Sequence, residues 1–337
     1  MKVTQPEYYD DFTCIAGACP DSCCIGWQVI PDREHLDYYR TLEGEPGESI
    51  RKGIVDVEGE PTFALCNGRC CMLRDDGLCK IQYELGEAAL SHVCGFYPRF
   101  VTELGLIREQ GLSISCPEVA RIILTRQEPL TLKTYETNDP LRYFHDIEPE
   151  RLISLMQGRS EGFSILQDRS RPLPQRMKEL LLLGIRVDEA DTLNTDHVLT
   201  DSEFSDFRQK LYDLFLSLER LRPDWTEILE KGRLGTPLTA LDGAPCWEQL
   251  LVYYMFKYTL RSAMDDNFLE SISMSILSTF LLQELHAQGA GDLIYLVQLY
   301  AKETEHNEEN LEQILNAVWD EPSFSPQSIF ALLNRFC

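Results

Sequence analysis

Apolar residues recur at helical spacing in a series of segments through the second half of the chain: PQRMKELLLLGIRV, SEFSDFRQKLYDLFLSLERL, CWEQLLVYYMFKYTLRSAM, FLESISMSILSTFLLQELHAQ, GDLIYLVQLYAKETE, EENLEQILNAVWD and SPQSIFALLNRF. Several are bounded by Asp, Ser, Gly or Pro, and together they predict an all-α domain of six or more helices within residues 126–337. Residues 250–260 are apolar on nearly every side, Tyr253, Tyr254, Phe256 and Tyr258 included, which predicts a buried central helix rather than an aromatic binding pocket. The first 125 residues read differently, with many turns and few long periodic segments. Within them FVTELGLIREQGLSIS predicts two short strands around a turn. SCPEVARIILT then predicts a helix with Cys116 as N-cap, Pro117 as first residue and Glu118 in the first turn. Residues 126–150 are polar and carry prolines, and are expected to connect the two regions. The predicted fold is mainly α: an irregular cysteine-rich, metal-binding module with a short β-hairpin over 1–125, then a helical domain over 126–337.

The cysteines set the chemistry of the first region. Of 12 in the chain, all but Cys246 and Cys337 lie within the first 116 residues. The opening MKVTQPEYYDDF has no basic start, apolar stretch or small-residue cleavage site, and the apolar run LLVYYMFKYTL is broken by Lys257. The expectation is a soluble, cytoplasmic protein. In that compartment thiols stay reduced, so a cysteine framework reads as metal-binding before disulfide-forming. The spacing is C-x4-C-x3-C-C at 14–24, C-x3-C-C-x7-C at 66–79, then Cys94 and Cys116, with no C-x2-C knuckle. Adjacent cysteines cannot easily point at one tetrahedral ion, but they can serve different irons of a cluster, or one can ligate while the other packs. The all-thiolate set leaves zinc and an iron–sulfur cluster both open. Cys116 suits ligation to either, because a helix N-terminus favours the thiolate. Formal net charge is −24, from 31 Lys and Arg against 55 Asp and Glu. Such a field disfavours nucleic acid and anionic membranes and favours basic partners or cations, if it does more than keep the protein soluble.

FTCIAGACPDSCCIGWQV, followed by CCMLRDDGLCKIQYELGEAALSHVCGFYPR and GLSISCPEVARIIL, resembles the flagellin lysine-N-methylase family, part of a broader group with a CxxCxxCC zinc- or iron-chelating domain. The resemblance is specific over residues 12–125 and weaker in the helical remainder. It implies Cys14, Cys19, Cys23, Cys24, Cys70, Cys79, Cys94 and Cys116 as metal ligands, with Cys66 and Cys71 as extras. The spacing at 14–24 is wider than the family's compact motif. The implied cofactors are an iron–sulfur cluster, 4Fe–4S in first place with zinc as the alternative, and S-adenosylmethionine. The implied reaction is methyl transfer to lysine ε-amino groups of flagellin.

That reaction is a polar displacement, so it needs a neutral, aligned amine, aromatic walls and a proton acceptor. It needs no radical, and the C-x3-C-x2-C triplet of radical chemistry is absent, since Gly26 stands at its third position. A cluster here would be structural, in first place, or would hold the cofactor through an open iron. In the family's YPR stretch, Tyr97 and Arg99 are the candidate cofactor-binding residues, Arg99 against the cofactor carboxylate or, alternatively, paired with an acidic neighbour or with the charge of a cluster. His92 is not expected to ligate, and Tyr8, Tyr9, Asp10 and Asp11 read as an exposed strand end before a lysine pocket. Trp27 is expected to cover the metal site. No glycine-rich strand–turn–helix of the Rossmann type exists, since the nearest glycine clusters, GAPC and HAQGAGDL, fall between predicted helices. No catalytic base is identifiable. One rival reading is a non-enzymatic metal-binding or redox-sensing adaptor that docks a basic protein partner, and a second is an iron–sulfur protein that modifies some other polypeptide.

Overall fold

A computed structural model describes residues 1–139 and 147–337. The elements of the first region are β1 (Lys2–Pro6), α1 (Arg33–Thr41), α2 (Gly44–Gly53), β2 (Ile54–Val57), β3 (Glu60–Phe63), β4 (Leu65–Cys66), β5 (Arg69–Cys70), α3 (Lys80–Leu85), α4 (His92–Phe96), β6 (Arg99–Leu104), β7 (Ile107–Leu112), α5 (Pro117–Leu124) and β8 (Leu132–Glu136). Helices follow: α6 (Pro149–Leu166), α7 (Leu173–Val187), α8 (Asp201–Ser217), α9 (Pro223–Leu234), α10 (Pro245–Thr259), α11 (Ser262–Asp265), α12 (Phe268–Ala287), α13 (Leu293–Glu305), α14 (Glu308–Asp320) and α15 (Pro326–Asn334). The fold is mainly α, as the periodicity predicts. Among the described residues no helix is long and apolar enough to cross a membrane.

The predicted hairpin is β6–β7, with Leu104 opposite Ile107 and Gly105 at φ +55°, a backbone region open to glycine without a Cβ clash. It does not stand alone. β1 runs parallel to β7, and β8 runs antiparallel to β1, giving a four-stranded sheet in the order β6-β7-β1-β8. The polar stretch expected to be only a connection therefore contains a strand, because Leu132–Glu136 finds backbone partners at the very start of the chain. Residues 140–146 of that stretch lie outside the described residues. The N-cap expected at Cys116 is present, with Pro117 opening α5 and Glu118 in its first turn.

Two cores organise the packing. The large one centres on α10 and α12, and reaches across Leu112, Ile114 and α5 to Tyr8 and Phe12. The expected buried helix is α10, where every residue from Trp247 to Thr259 except Lys257 is buried. The sheet is tied to this core by Glu109 of β7 and Arg159 of α6, whose side chains are buried and joined by two hydrogen bonds. The small core comprises Val29, Tyr39, Ile50, Phe63, Cys70, Met72, Ile81 and Ala89. Around it lie short helices and two small hairpins, one of them β4–β5, whose Asn67 and Gly68 both have positive φ. Asn-Gly is a strong hairpin signal, and it fixes the position of Cys70.

Candidate functional site

A cavity of about 960 Å³ lies between the cysteine-bearing loops and the helices. Cys14, Cys19, Cys23, Cys24, Cys70, Cys79, Cys94 and Cys116 all line it. Cys66 and Cys71 do not: Cys66 is exposed, and the Cys71 thiol donates to the Gly53 carbonyl at 3.2 Å.

Backbone pairing explains how residues so far apart meet. The amide of Cys70 donates to the carbonyl of Cys24 at 2.8 Å and that of Gly26 to Gly68 at 3.0 Å, so the segment after the adjacent cysteines pairs with β5. A bridge between Leu73 and Cys79 folds Cys79 back beside the same hairpin. Thiols of Cys23, Cys70 and Cys79 hydrogen-bond to the sulfur of Cys24, which holds Cys24 well below the usual thiol value. Amides donate to sulfur at two further places, Ala16 to Cys14 at 3.4 Å and Met72 to Cys70 at 3.5 Å. Cys116 sits at the start of α5, and burial pushes its thiol up to about 11. Among the described residues, no three His, Cys, Asp or Glu side chains already converge to chelate one ion. The donor chemistry nevertheless fits a thiophilic metal, because the wall gathers soft sulfur donors that side-chain rotation can turn inward.

The helical side of the cavity brings residues that no local pattern marked. Asp21, just before the adjacent cysteines, receives Lys302 at 2.6 Å, Arg222 at 3.1 Å and Gln298 at 2.8 Å. Lys302 also donates to the carbonyls of Ser22 and Ile25 at 3.1 and 3.3 Å, and its ammonium lies 4.7 Å from the Trp27 ring centroid. Trp27 stacks on His306 with centroids 4.4 Å apart, and Tyr97 lies 5.7 Å from Trp27 and 6.0 Å from His306. Trp27, Tyr97 and His306 thus form an aromatic wall on the cavity.

Behind that wall runs a polar chain. Ser115 Oγ meets His306 Nε2 at 2.7 Å, Tyr97 OH at 3.2 Å and Ser113 Oγ at 2.8 Å. Ser113 donates to Glu305 at 2.9 Å, and Glu305 also receives Tyr253 and Lys257. Partial desolvation against Trp27 and the neighbouring Lys257 and Lys302 charges lower the His306 imidazole to about 4, so the ring is neutral at neutral pH, although the residue remains solvent-accessible on the cavity side.

Tyr97 and Arg99 both line the cavity. The Arg99 guanidinium lies 5.3 Å from the Phe12 ring centroid and 6.0 Å from that of Tyr9, and among the described residues no carboxylate pairs with it. The acidic-neighbour alternative for Arg99 therefore finds no partner among them. His92 is exposed, stacks on Phe96 at 5.3 Å and is not among the cavity residues. Tyr8 is buried, so the YYDDF stretch is only partly the exposed end expected.

Residues 245–332, which span α10 to α15, match the C-terminal domain of the FliB lysine N-methylase family. The flagellar biosynthetic protein FliU of Salmonella muenchen is 30% identical over 154 residues, which cover 43% of this chain and 91% of that protein. The chain belongs to the FliB lysine N-methylase family. Two proteins named lysine-N-methylase, from Salmonella choleraesuis and Salmonella typhimurium, are each 31% identical over 139 residues, 39% of this chain but 35% of their own length. No solved structure matches. The family match falls on the helical remainder, where the motif resemblance is weaker, and within it α13 carries Lys302, against Asp21 beside the adjacent cysteines.

Proposed function

We propose that this member of the family is a protein-lysine N-methyltransferase that uses S-adenosylmethionine to methylate ε-amino groups of flagellin. The observation that carries the reading is the cavity wall of Trp27, Tyr97 and His306 beside an Arg99 that has no carboxylate partner among the described residues. The two lysine-N-methylases and the flagellar FliU protein support the activity and the kind of substrate. A cavity of about 960 Å³ is ample for a drug-sized cofactor together with a side chain.

When bound, S-adenosylmethionine supplies a sulfonium methyl that passes to the lysine nitrogen's lone pair as the C–S bond breaks and its electrons stay on sulfur. Arg99 would hold the cofactor carboxylate by charge-assisted hydrogen bonds. The faces of Trp27 and Tyr97 would orient cationic groups and exclude water from them. Neutral His306, backed by Ser115, Ser113 and Glu305, offers a route for the proton that lysine must lose. The cavity cysteines would hold an iron–sulfur cluster, 4Fe–4S in first place with zinc as the alternative, in a structural role. The net charge of −24 would draw exposed lysines towards the protein.

The test uses the full chain purified without oxygen: cofactor binding by calorimetry, then mass analysis of flagellin after incubation with both. Binding followed by added methyl groups supports the proposal. Arg99→Ala should weaken cofactor binding roughly 10–100-fold, the loss of a hydrogen bond to a charged group. Metal-loaded wild type that binds no S-adenosylmethionine would overturn the reading and leave the adaptor.

A further inference from the structure

Zinc and a cuboidal iron–sulfur cluster each take four thiolates, yet the cavity is lined by twice that number. The packing sorts them. Cys24, Cys70, Cys79 and Cys94 all belong to the small core, with Cys70 inside it and the other three packed against it. Cys116 belongs to the large core instead, and Cys14, Cys19 and Cys23 belong to neither. Backbone pairing repeats the division: the 24–26 segment pairs with β5, which places Cys24 beside Cys70, while the Leu73–Cys79 bridge brings in Cys79. On the other side, Cys14 and Cys19 act electrostatically on the Cys116 thiol, while Cys23 touches both sets: its thiol hydrogen-bonds to Cys24, and Cys94 and Cys14 both act on it. Each side also has one sulfur that already accepts an amide hydrogen bond from two residues downstream, Cys70 on one and Cys14 on the other.

The surroundings differ as well. The first set is walled by the apolar side chains of Val29, Phe63, Met72 and Ile81. The second includes exposed Cys14 and Cys23, near Arg222 and Lys302 on the cavity lining. A four-thiolate centre is anionic, and cations of this kind would balance it. The adjacent pair lies at the divide: Cys24 packs on the small core and Cys23 does not, although its thiol still reaches the Cys24 sulfur.

We propose that the cysteines form two separate four-thiolate centres for thiophilic metals, Cys24 with Cys70, Cys79 and Cys94 in the small core, and Cys23 with Cys14, Cys19 and Cys116 facing the helices. The pair at 23 and 24 then serves two centres, which removes the difficulty of aiming neighbouring side chains at one ion. This rests on the metal-binding part of the reading above and is independent of methyl transfer.

The experiment measures iron, zinc and acid-labile sulfide per folded chain in anaerobically purified full-length protein, with X-ray absorption at both metal edges. The wild type should hold two centres, seen as one zinc plus one cluster, two clusters, or two zincs. Cys70→Ser and Cys24→Ser should each remove one centre and leave the other intact. Cys116→Ser and Cys23→Ser should remove the complementary one. Circular dichroism and gel filtration identify any variant that has simply unfolded. If every single variant fails to fold, the wild-type count decides: two centres support the division and one overturns it. One centre in wild type, abolished alike by Cys70→Ser and Cys116→Ser, would also overturn it while leaving metal binding intact. Wild type with no bound metal would end both the division and the metal reading, with methyl transfer still to be judged by its own assay.

Discussion

The two cores of this protein are built on different means. In the large one, α12 is buried along almost its whole length and packs on α7, α13, α14 and α15, with Phe280, Leu281 and Leu285 among its fully buried side chains. In the small one, short helices and two-stranded hairpins converge on a few apolar residues, and sulfur occupies positions that Leu or Phe would fill in the other. Fully burying one large apolar side chain contributes about 1.5–3 kcal/mol, whereas fixing each residue's backbone costs about 1–2 kcal/mol. A loop-rich segment with so few buried groups needs cross-links. The polar clamp on Asp21 is one, and a metal held by the cavity thiolates as proposed would be another.

Three changes would break or sharpen that contrast. Stripping metal with a chelator should have the largest effect, since apparent binding energies of thiolate zinc sites are on the order of 10 kcal/mol. Hydrogen exchange should then show loss of amide protection across residues 24–96 while α10 to α15 keep theirs; equal loss in both regions would remove the distinction. Asp21→Ala comes next. It leaves the buried ammonium of Lys302 without its carboxylate, and breaking a buried pair costs roughly 3–5 kcal/mol. Denaturant titration should register that cost, with exchange rising first around Trp27.

The smallest effect concerns the large core. Burial raises the Glu303 carboxyl from 4.5 to about 7, against the opposing pull of the Leu221 and Arg222 amides that it accepts. Between those two values the folded chain keeps a proton that the unfolded chain has lost. Stability is therefore highest below pH 4.5 as far as this group is concerned, and falls as pH rises towards 7, by up to about 3 kcal/mol. Glu303→Gln should flatten that slope in melting curves recorded across the interval. An unchanged slope would mean that Glu303 ionises normally.

Much of the architecture was legible because helical periodicity is local. α7, α8, α10 and α12 to α15 fall where apolar spacing predicts helices, and the β6–β7 turn and the cap at Cys116 follow from glycine and proline. α9 carried the same spacing, Trp225, Ile228 and Leu229 behind Pro223, whereas in α6 the periodicity is broken by Gly158 and Gly162, where Val187 and Met255 press close against the backbone. The β4–β5 hairpin did have one, Asn67-Gly68, which was readable and bears directly on where Cys70 sits. The expected boundary at 125/126 is crossed by sheet pairing, since β8 hydrogen-bonds to β1.

By itself the sequence determined the inventory: a helical second half, a cysteine-rich first part, the residue types a thiophilic metal requires, and the motifs that point to the family. Tertiary structure decided which of these meet. His306, Lys302 and Glu305 carry no local mark of a site, and Ser115 draws notice only as the neighbour of a cysteine. They face Trp27, Tyr97 and Asp21 because α13 packs on α5 and its far end reaches the cysteine loop. Contacts between residues hundreds of positions apart depend on how two cores share a surface, and no spacing along the chain encodes that distance.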